Sequence, residues 1–279
     1  MRFKSLEDRM NYFRSLTDYK LMPRSYVLVM VDGCSFSHLI KNKFKKPFDD
    51  RFINAMNETA KYLCQNISGC KMAYTQSDEI SLVLTDFDET NTESFFGYRL
   101  TKMLSIIGSL ATAKFNQVMT EYRIGEVVGD SASAGDTVEE CRLAVANGPL
   151  YQFDCKCWNV PTFNDVFAWF LYRQIDCIRN SKQQTAQTWL SHKQLERLDT
   201  DKQIELLKVE KGVSWEDFED GKKYGRFIYK EQFELPVENR KPGMNETYIR
   251  NVWMVHDAFK LTDEDGRERF GSIGAIPIQ

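Results

Sequence analysis

Two short acidic motifs are the most informative part of this sequence. In residues 26–36 an apolar run ends at Asp32, and in residues 74–84 the pair Asp78-Glu79 stands between two strand-like runs. A carboxylate buried at the end of a strand is costly unless a cation or hydrogen bonds compensate it. Carboxylates on neighbouring strands are the ligands that a divalent-metal site for phosphate chemistry needs. We therefore predict a metal-dependent enzyme that acts on nucleotides.

The chemistry assigns roles to the residues of both motifs. Asp32, Asp78 and Glu79 are the candidate catalytic carboxylates, suited to two Mg²⁺ ions about 4 Å apart. Gly33 would let its carbonyl approach an ion closely. Each motif alone is weak evidence, because Asp-Gly after a strand is often only a turn. The backbone amides that follow Gly33 would form an anion nest for a triphosphate; they belong to Cys34, Ser35 and Phe36.

Further polar residues have two readings each. Lys46, Arg99 and Lys102 are surface cations in most proteins, yet a triphosphate site also needs cations. Asp49 caps a predicted helix or binds nucleotide. A single helix face carries four regularly spaced residues, which fit either a substrate-contacting surface or an intrahelical ion pair with an exposed amide; they are Trp169, Arg173, Asp176 and Asn180.

The elements around these motifs predict an α+β fold. Residues 25–31 predict a buried central strand, and Asp49 caps the helix that follows it. Two strands, 71–74 and 80–85, meet in a turn, and a long helix is expected over 93–119. A closing strand within 150–160 completes the order β-α-β-β-α-β. This order predicts a ferredoxin-like, split βαβ antiparallel sheet with helices packed on it, as in polymerase palms.

The second part of the chain is predicted to be mainly helical. Thr162 and Asp165 begin a helix that runs to about Asn180, and a second helical stretch follows over 182–190. Gly125 to Asp136 is expected to be a loop. Further helices are predicted over 201–210 and 215–221, with a hairpin-like pair of strands at 226–235 and 248–255. We predict a palm-like catalytic domain over 1–160 and a helical and mixed region over 161–279 that completes the catalytic core. The charged end of that second region either contacts RNA or builds the oligomer.

Composition limits the classes of function. The chain has 279 residues and a net charge of −3, so any nucleic-acid surface must be a local basic face. Its seven cysteines and the lack of a secretory signal favour reduced thiols and a cytoplasmic location. Cys155-x-Cys157 lacks the second ligand pair of a zinc site. No apolar stretch is long enough to span a membrane.

Several motifs occur together in a characteristic order. They are Val31-Asp32-Gly33-x-Ser35-Phe36, Lys46-Pro47-x-Asp49-x-Arg51, Tyr74-x-Gln76-Ser77-Asp78-Glu79-x-Ser81, Arg99-x-x-Lys102 and Arg173-Gln174-x-Asp176. As a set, over residues 5–195, they resemble the tRNA-His guanylyltransferase superfamily. Members of that superfamily are reverse-direction polymerases that add nucleotides to the 5′ end of RNA.

The resemblance implies a mechanism and a set of contacts. ATP adenylylates a 5′-monophosphate RNA, and the 3′-hydroxyl of an incoming GTP or other NTP then attacks the activated phosphate. Asp32, the Gly33 carbonyl and Asp78 are implied to hold the two Mg²⁺ ions, with Glu79 an additional or an outer ligand. Implied nucleotide contacts are Cys34, Ser35, Phe36, Ser37, Lys46, Asp49, Ser77, Arg99 and Lys102, and implied contacts to RNA or nucleotide are Arg173, Asp176 and Asn180.

One departure from the superfamily pattern bears on substrate choice. Eukaryotic guanylyltransferases carry a His-Ile-Asn element after Arg-Gln-x-Asp, whereas this chain has Ile178 in place of the His. The form Arg179-Asn180-Ser181 resembles the guanylyltransferase-like branch, which is associated with templated repair of 5′-truncated tRNA. The resemblance therefore implies the 5′ end of a tRNA acceptor stem as substrate. It also implies a homotetramer built as a dimer of dimers.

Three other functions compete with 5′-end repair. A tRNA-His guanylyltransferase would add G to intact tRNA-His without a template. A nucleotidyl cyclase would use the same sheet without RNA. A non-catalytic RNA-binding protein is disfavoured, because a dead site has no reason to keep three desolvated carboxylates.

Overall fold

A computed structural model describes residues 3–36, 43–134, 143, 146–236, 247–274 and 276. Its centre is one six-stranded sheet in the order β4-β1-β3-β2-β5-β6, in which every neighbouring pair is antiparallel. The strands are β1 (Tyr26–Gly33), β2 (Cys70–Gln76), β3 (Glu79–Leu84), β4 (Phe153–Val160), β5 (Arg226–Pro236) and β6 (Thr247–Asp257). The predicted α+β class is confirmed.

The sheet order places distant parts of the chain side by side. Strand β3 lies between β1 and β2, so the two strands on either side of the first crossover helix are not neighbours. The predicted hairpin of β5 and β6 is present, and β5 pairs with β2. The division of the chain at residue 160 stays a prediction, although the sheet continues across it.

Eight α-helices surround the sheet in the described part of the chain. They are α1 (Leu6–Ser15), α2 (Asp50–Asn66), α3 (Leu100–Ala134), α4 (Phe163–Trp189), α5 (His192–Leu195), α6 (Thr200–Lys211), α7 (Asp220–Tyr224) and α8 (Gly266–Ile273). Asp49 caps α2 and the Thr162–Asp165 capping box begins α4, as predicted. None of the described helices is both long enough and apolar enough to cross a bilayer.

Three predicted helix boundaries were wrong. Helix α3 begins at Leu100 instead of residue 93, because Phe96 and Gly97 have φ angles of +51° and +59° and interrupt the helical path. The same helix continues through the predicted loop to Ala134. A Gly within a helix costs only about 1 kcal/mol, so the small residues there did not stop it. The two helical stretches predicted after Thr162 form the single helix α4.

The two faces of the sheet have separate cores. Alternate β1 residues such as Val29 pack with residues of α2 and α3, whereas Leu28 on the other face packs with residues of α4 and α8. Helix α1 differs from the others because none of its residues is buried. Its apolar face, formed by Leu6, Met10 and Phe13, is 49–74% exposed and so remains uncovered in a single chain.

Candidate active site

The sheet brings the acidic residues of both motifs together at one end of its strands, which we call the acidic edge. Asp32, near the end of β1, lies opposite Glu79 of β3 and opposite Asp154 of β4. Residues directly opposite in an antiparallel pair project from the same face. Asp78 lies in the two-residue turn between β2 and β3, and its carbonyl accepts the Gly33 N–H at 3.1 Å. The predicted convergence of Asp32, Asp78 and Glu79 is therefore present.

Asp32 and Asp78 are half-buried acids whose negative charges repel one another. Burial raises the pKa of Asp32, the charges of Asp78 and Asp154 raise it further, and Lys156 opposes the shift. Burial also raises the pKa of Asp78, against a hydrogen bond donated by the Ser77 hydroxyl at 2.9 Å. Carboxylates with raised pKa values and little compensating charge favour a bound cation. Asp154 was not predicted as a site residue, and only the pairing of the closing strand with β1 identifies it.

The residues present fit Mg²⁺. Among the described residues there is no group of three or more His, Cys, Asp or Glu that could hold a metal by itself. Asp32 and Asp78 are hard oxygen donors. Mg²⁺ is commonly bound through one or two carboxylates, with water and substrate phosphates completing its coordination. The pair is thus sufficient for an ion that also binds a nucleotide.

Glu79 is engaged by the helix above it. The Arg173 guanidinium donates two hydrogen bonds to the Glu79 carboxylate, at 2.7 and 2.6 Å, and a third to Asp176 at 3.1 Å. Burial raises the pKa of Glu79, and Arg173 opposes that shift. Asp176 also pairs with Arg179. The helix face predicted to contact substrate therefore holds an internal ion-pair network around Arg173.

The loop after β1 differs from the predicted anion nest. The Cys34 amide donates to the Gln152 carbonyl at 2.8 Å, so it is not available to a phosphate. The Phe36 ring is fully buried, and a Cβ on Gly33 would stand 2.4 Å from Phe36 Cδ2. Gly33 is thus required by packing, whatever its carbonyl binds. Ser35 is exposed and has a φ of +58°, while Ser37 lies outside the described residues.

A cavity of about 110 Å³ adjoins the acidic turn. Ser77, Asp49 and Asn180 all line it, whereas Lys46 is exposed beside it and does not. Burial would raise the pKa of Asp49, but hydrogen bonds from Arg51 and nearby amides outweigh it and lower the pKa to about 2. The cavity combines aromatic and polar groups suited to a nucleotide; its other lining residues include Phe44, Lys45, Phe48, Phe52, Ser181, Gln184 and Arg226.

Two predicted cations lie far from this edge. Arg99 pairs with Asp18 at 3.1 Å, and Lys102 follows in the first turn of α3. The segment after Asp18 is hydrogen-bonded to Asn159, at the end of β4 farthest from Asp32. Asn159 lies opposite Val27, and Val27 is five residues from Asp32 along β1. In an extended strand this spacing corresponds to about 16 Å. One chain therefore does not bring Arg99 and Lys102 to the acids.

The chain is similar to known proteins in sequence and in fold. The model of a family described as tRNAHis guanylyltransferase matches residues 7–161, more than half of the chain. A bacterial tRNA(HIS) guanylyltransferase (Thg1)-like protein, solved in complex with ATP, is 32% identical. It aligns over 97% of this chain and 98% of its own, with a TM-score of 0.75. A structure of the same description with GTP has a TM-score of 0.71 and 30% identity, and covers 98% of this chain and 100% of its own.

Relatives in sequence extend the comparison. Uncharacterized protein R259 of Acanthamoeba polyphaga mimivirus is 29% identical over 80% of this chain and 76% of its own length. The tRNA(His) guanylyltransferase 1 of Arabidopsis thaliana and the Debaryomyces hansenii enzyme are 25% and 28% identical over 60% and 58% of this chain. The chain spans only 25% and 53% of those two enzymes.

The class defined by these findings is that of the nucleotidyltransferases, since the members of the matching family are tRNA guanylyltransferases. The Saccharomyces cerevisiae tRNA(His) guanylyltransferase, at 22% identity and a TM-score of 0.59 over 77% of this chain and 90% of its own, shares the fold. This chain belongs to the tRNAHis guanylyltransferase family.

Proposed function

We propose that this protein adds nucleotides to the 5′ end of tRNA in the 3′–5′ direction, and that its main role is template-directed repair of 5′-truncated tRNA. The observation that carries the proposal is the convergence of Asp32 and Asp78 at one sheet edge, beside a cavity lined by Ser77 and Asn180. Family membership supports the class of reaction and the kind of RNA.

The reaction has two steps. The 5′-phosphate of the RNA displaces pyrophosphate from ATP, and the 3′-hydroxyl of the next NTP then displaces AMP from the activated end. Mg²⁺ bound at Asp32 and Asp78 would supply charge neutralisation at the reacting phosphates. The carboxylates of this chain hold the charge that attracts the ions. Glu79 holds the Arg173 guanidinium beside these carboxylates through two hydrogen bonds. A substrate that approaches from the side of α4 would therefore meet a positively charged group in a fixed position.

We also propose a specific topology for the antiparallel sheet. The order β1-α2-β2-β3-α3-β4, with β3 between β1 and β2, supports a split βαβ sheet of the ferredoxin-like kind, as in polymerase palms.

Repair is favoured over guanylylation of tRNA-His by the residue at position 178. Ile178 is partly buried and packs against the core beneath α4, so it offers no polar group to a tRNA. Asn180, two residues later, lines the cavity instead. The helix therefore presents a polar contact to a nucleotide without the histidine found in the eukaryotic enzymes.

We further propose a cytoplasmic homotetramer. The uncovered apolar face of α1, formed by Leu6, Met10 and Phe13, supports burial against another copy. The six cysteines of the described residues are unpaired, which supports a reducing location.

The decisive experiment uses tRNA that lacks its first nucleotide. Labelled 5′-monophosphate tRNA is incubated with ATP, Mg²⁺ and each NTP singly, with all four possible bases opposite the missing position. Repair predicts that the added nucleotide follows the opposing base. Addition of G alone, whatever the opposing base, would show a guanylyltransferase instead, and addition of nothing to any tRNA would refute the proposed reaction.

A further inference from the structure

An open, partly charged surface lies beside the acids on the α4 side of the sheet. Strand β4 is the edge strand there, and its Asp154 and Lys156 are exposed on the face that carries Asp32. Helix α4 crosses above β3 and contacts this face through Trp169, which packs at 4.8 Å against Trp158 of β4. Beyond this contact, the exposed side chains of Asp154 and Lys156 leave the outer strand accessible to solvent beside Asp32.

Tyr172 of α4 borders this surface and keeps a large exposed area. Its side chain is 57% exposed, so most of the ring is accessible to solvent. The Arg173 guanidinium lies 5.0 Å from the ring centroid, and the Trp169 ring lies 5.9 Å away. Trp169 is itself fixed by a hydrogen bond to the Ser81 hydroxyl at 3.1 Å. The exposed ring is thus supported by groups that are already immobilised by the sheet.

The same groups connect Tyr172 to the acids. Arg173, which contacts the ring, holds Glu79 in a two-bond ion pair, and Glu79 lies directly opposite Asp32. The Arg173–Glu79 ion pair is therefore the link between the exposed Tyr172 ring and Asp32. Two exposed cations lie on the same side, Lys156 on β4 and Arg179 about two helical turns beyond Tyr172, where Arg179 also pairs with Asp176. Their charge complements that of an RNA backbone.

We propose that Tyr172 is a stacking platform that binds the nucleobase at the 5′ end of the RNA beside Asp32 and Asp78. This inference rests on the proposed function and names a binding residue for it. A ring is the contact that this reaction needs, because every base has a π face and stacking does not depend on base identity. An enzyme that repairs truncated ends must accept any terminal base.

The first test isolates the activation step. Wild-type protein, Tyr172→Ala, Tyr172→Phe and Ile175→Ala are assayed for adenylylation of 5′-monophosphate tRNA with ATP and no other NTP. Ile175 is the matched control, because it is 52% exposed on the same helix and is an apolar side chain of similar exposure. Melting temperatures of all four proteins are compared to exclude loss of folding.

Stacking predicts a change in KM for RNA without a comparable change in kcat. Removing an aromatic platform weakens binding by about 5- to 150-fold per base, so Tyr172→Ala should raise KM for the tRNA by a factor in that range. Tyr172→Phe and Ile175→Ala should match the wild type. With wild-type protein, a tRNA with an abasic 5′-terminal residue should show the same rise in KM. With Tyr172→Ala the abasic residue should cause no further rise, since the substitution and the missing base remove the same contact.

A second readout does not need catalysis. With 2-aminopurine as the 5′-terminal base, binding should quench its fluorescence with the wild type and with Tyr172→Phe, but not with Tyr172→Ala. Equal quenching by Tyr172→Ala, an unchanged KM for RNA, or a rise in KM for ATP alone would overturn the inference. Absence of nucleotide addition by a wild-type protein that still quenches the probe would refute the proposed function and leave the stacking contact standing.

Discussion

At the scale of single residues, the acids behave as a pair that is unstable without a cation. The pKa of Asp32 is raised by burial and by Asp78 and Asp154, so the folded state binds more protons than the unfolded state above pH 3.8. The stability contributed by the protonated group is then lost as pH rises through the folded pKa. We expect bound Mg²⁺ to offset this loss, because a cation held by the carboxylate would take the place of the proton.

Asp32→Asn is therefore expected to raise the melting temperature of the metal-free protein at pH 8, where the carboxylates repel most strongly. The gain should shrink as pH falls toward the folded pKa, and added Mg²⁺ should stabilise the wild type more than the variant. Thermal unfolding with and without Mg²⁺ at several pH values measures both effects. Asp263→Asn, at an exposed turn outside the sheet, is the control. A lower melting temperature for Asp32→Asn without Mg²⁺ would contradict this account.

The acids could be predicted from the sequence because each lies where a strand ends. The end of a strand is indicated locally by the change from an apolar run to polar residues. The partners of Cys34 and Glu79 were not predicted. The Gln152 carbonyl that occupies the Cys34 amide is more than a hundred residues away, and so is no part of any local pattern. Arg173 was predicted at the site, but its bond to Glu79 depends on how α4 crosses β3.

At the scale of elements, the Glu79–Arg173 ion pair joins helix α4 to strand β3. Removing one member of a buried pair leaves an uncompensated charge, which costs about 3–5 kcal/mol. Arg173→Met should lie near the lower end, about 3 kcal/mol, because the Arg173 side chain keeps 12% of its area exposed. Urea unfolding of both single variants and of Glu79→Gln with Arg173→Met gives the coupling. The double variant should be more stable than Arg173→Met, and additive losses would contradict the pairing.

Helix α2 depends on its cap in a pH-dependent way. Asp49 accepts the Arg51 amide and pairs with the Arg51 side chain, and its pKa is lowered to about 2. This stability is present above the unfolded pKa near 3.8 and is lost as pH falls toward 2. Asp49→Ala should cost about 1–2 kcal/mol at pH 7 and progressively less below pH 4. Denaturant unfolding of Asp49→Ala beside Asp50→Ala, an exposed neighbour, tests it; a difference independent of pH would refute the ionised cap.

Element types were predicted more accurately than element ends. The strands followed from β-branched runs and alternation, and the caps of α2 and α4 from Asp49 and Thr162. Helix α3 was predicted wrongly at its start because the backbone at Phe96 and Gly97 adopts left-handed angles that composition does not indicate. Pairing of the β5–β6 hairpin with β2 needs contacts far apart in sequence, so it was not predicted.

At the scale of the whole molecule, two observations point to a second copy. The α1 face is apolar and uncovered. The segment that pairs with Arg99, beside the first turn of α3 where Lys102 lies, is bonded to β4 about 16 Å along the sheet from Asp32. A role for these cations in nucleotide binding would require the site of another copy. Assembly through α1 is consistent with both observations.

Met10→Glu places a charge in the centre of the α1 face and should dissociate the assembly without unfolding the chain. Sedimentation velocity should show a tetramer for the wild type and smaller species for the variant. Lys4→Glu, next to α1 but outside its apolar face, is the control. A wild-type protein that sediments as a monomer at all concentrations would contradict the assembly.

The most direct test of the central claim is single-turnover nucleotide addition to 5′-triphosphorylated tRNA that lacks its first nucleotide, which bypasses activation. Charge neutralisation at the acids is worth several kcal/mol, or about a thousandfold or more in rate. The account predicts template-directed addition by the wild type in Mg²⁺, and loss of at least that factor in both Asp32→Asn and Asp78→Asn while tRNA binding is retained. Addition at the wild-type rate by either variant would contradict it.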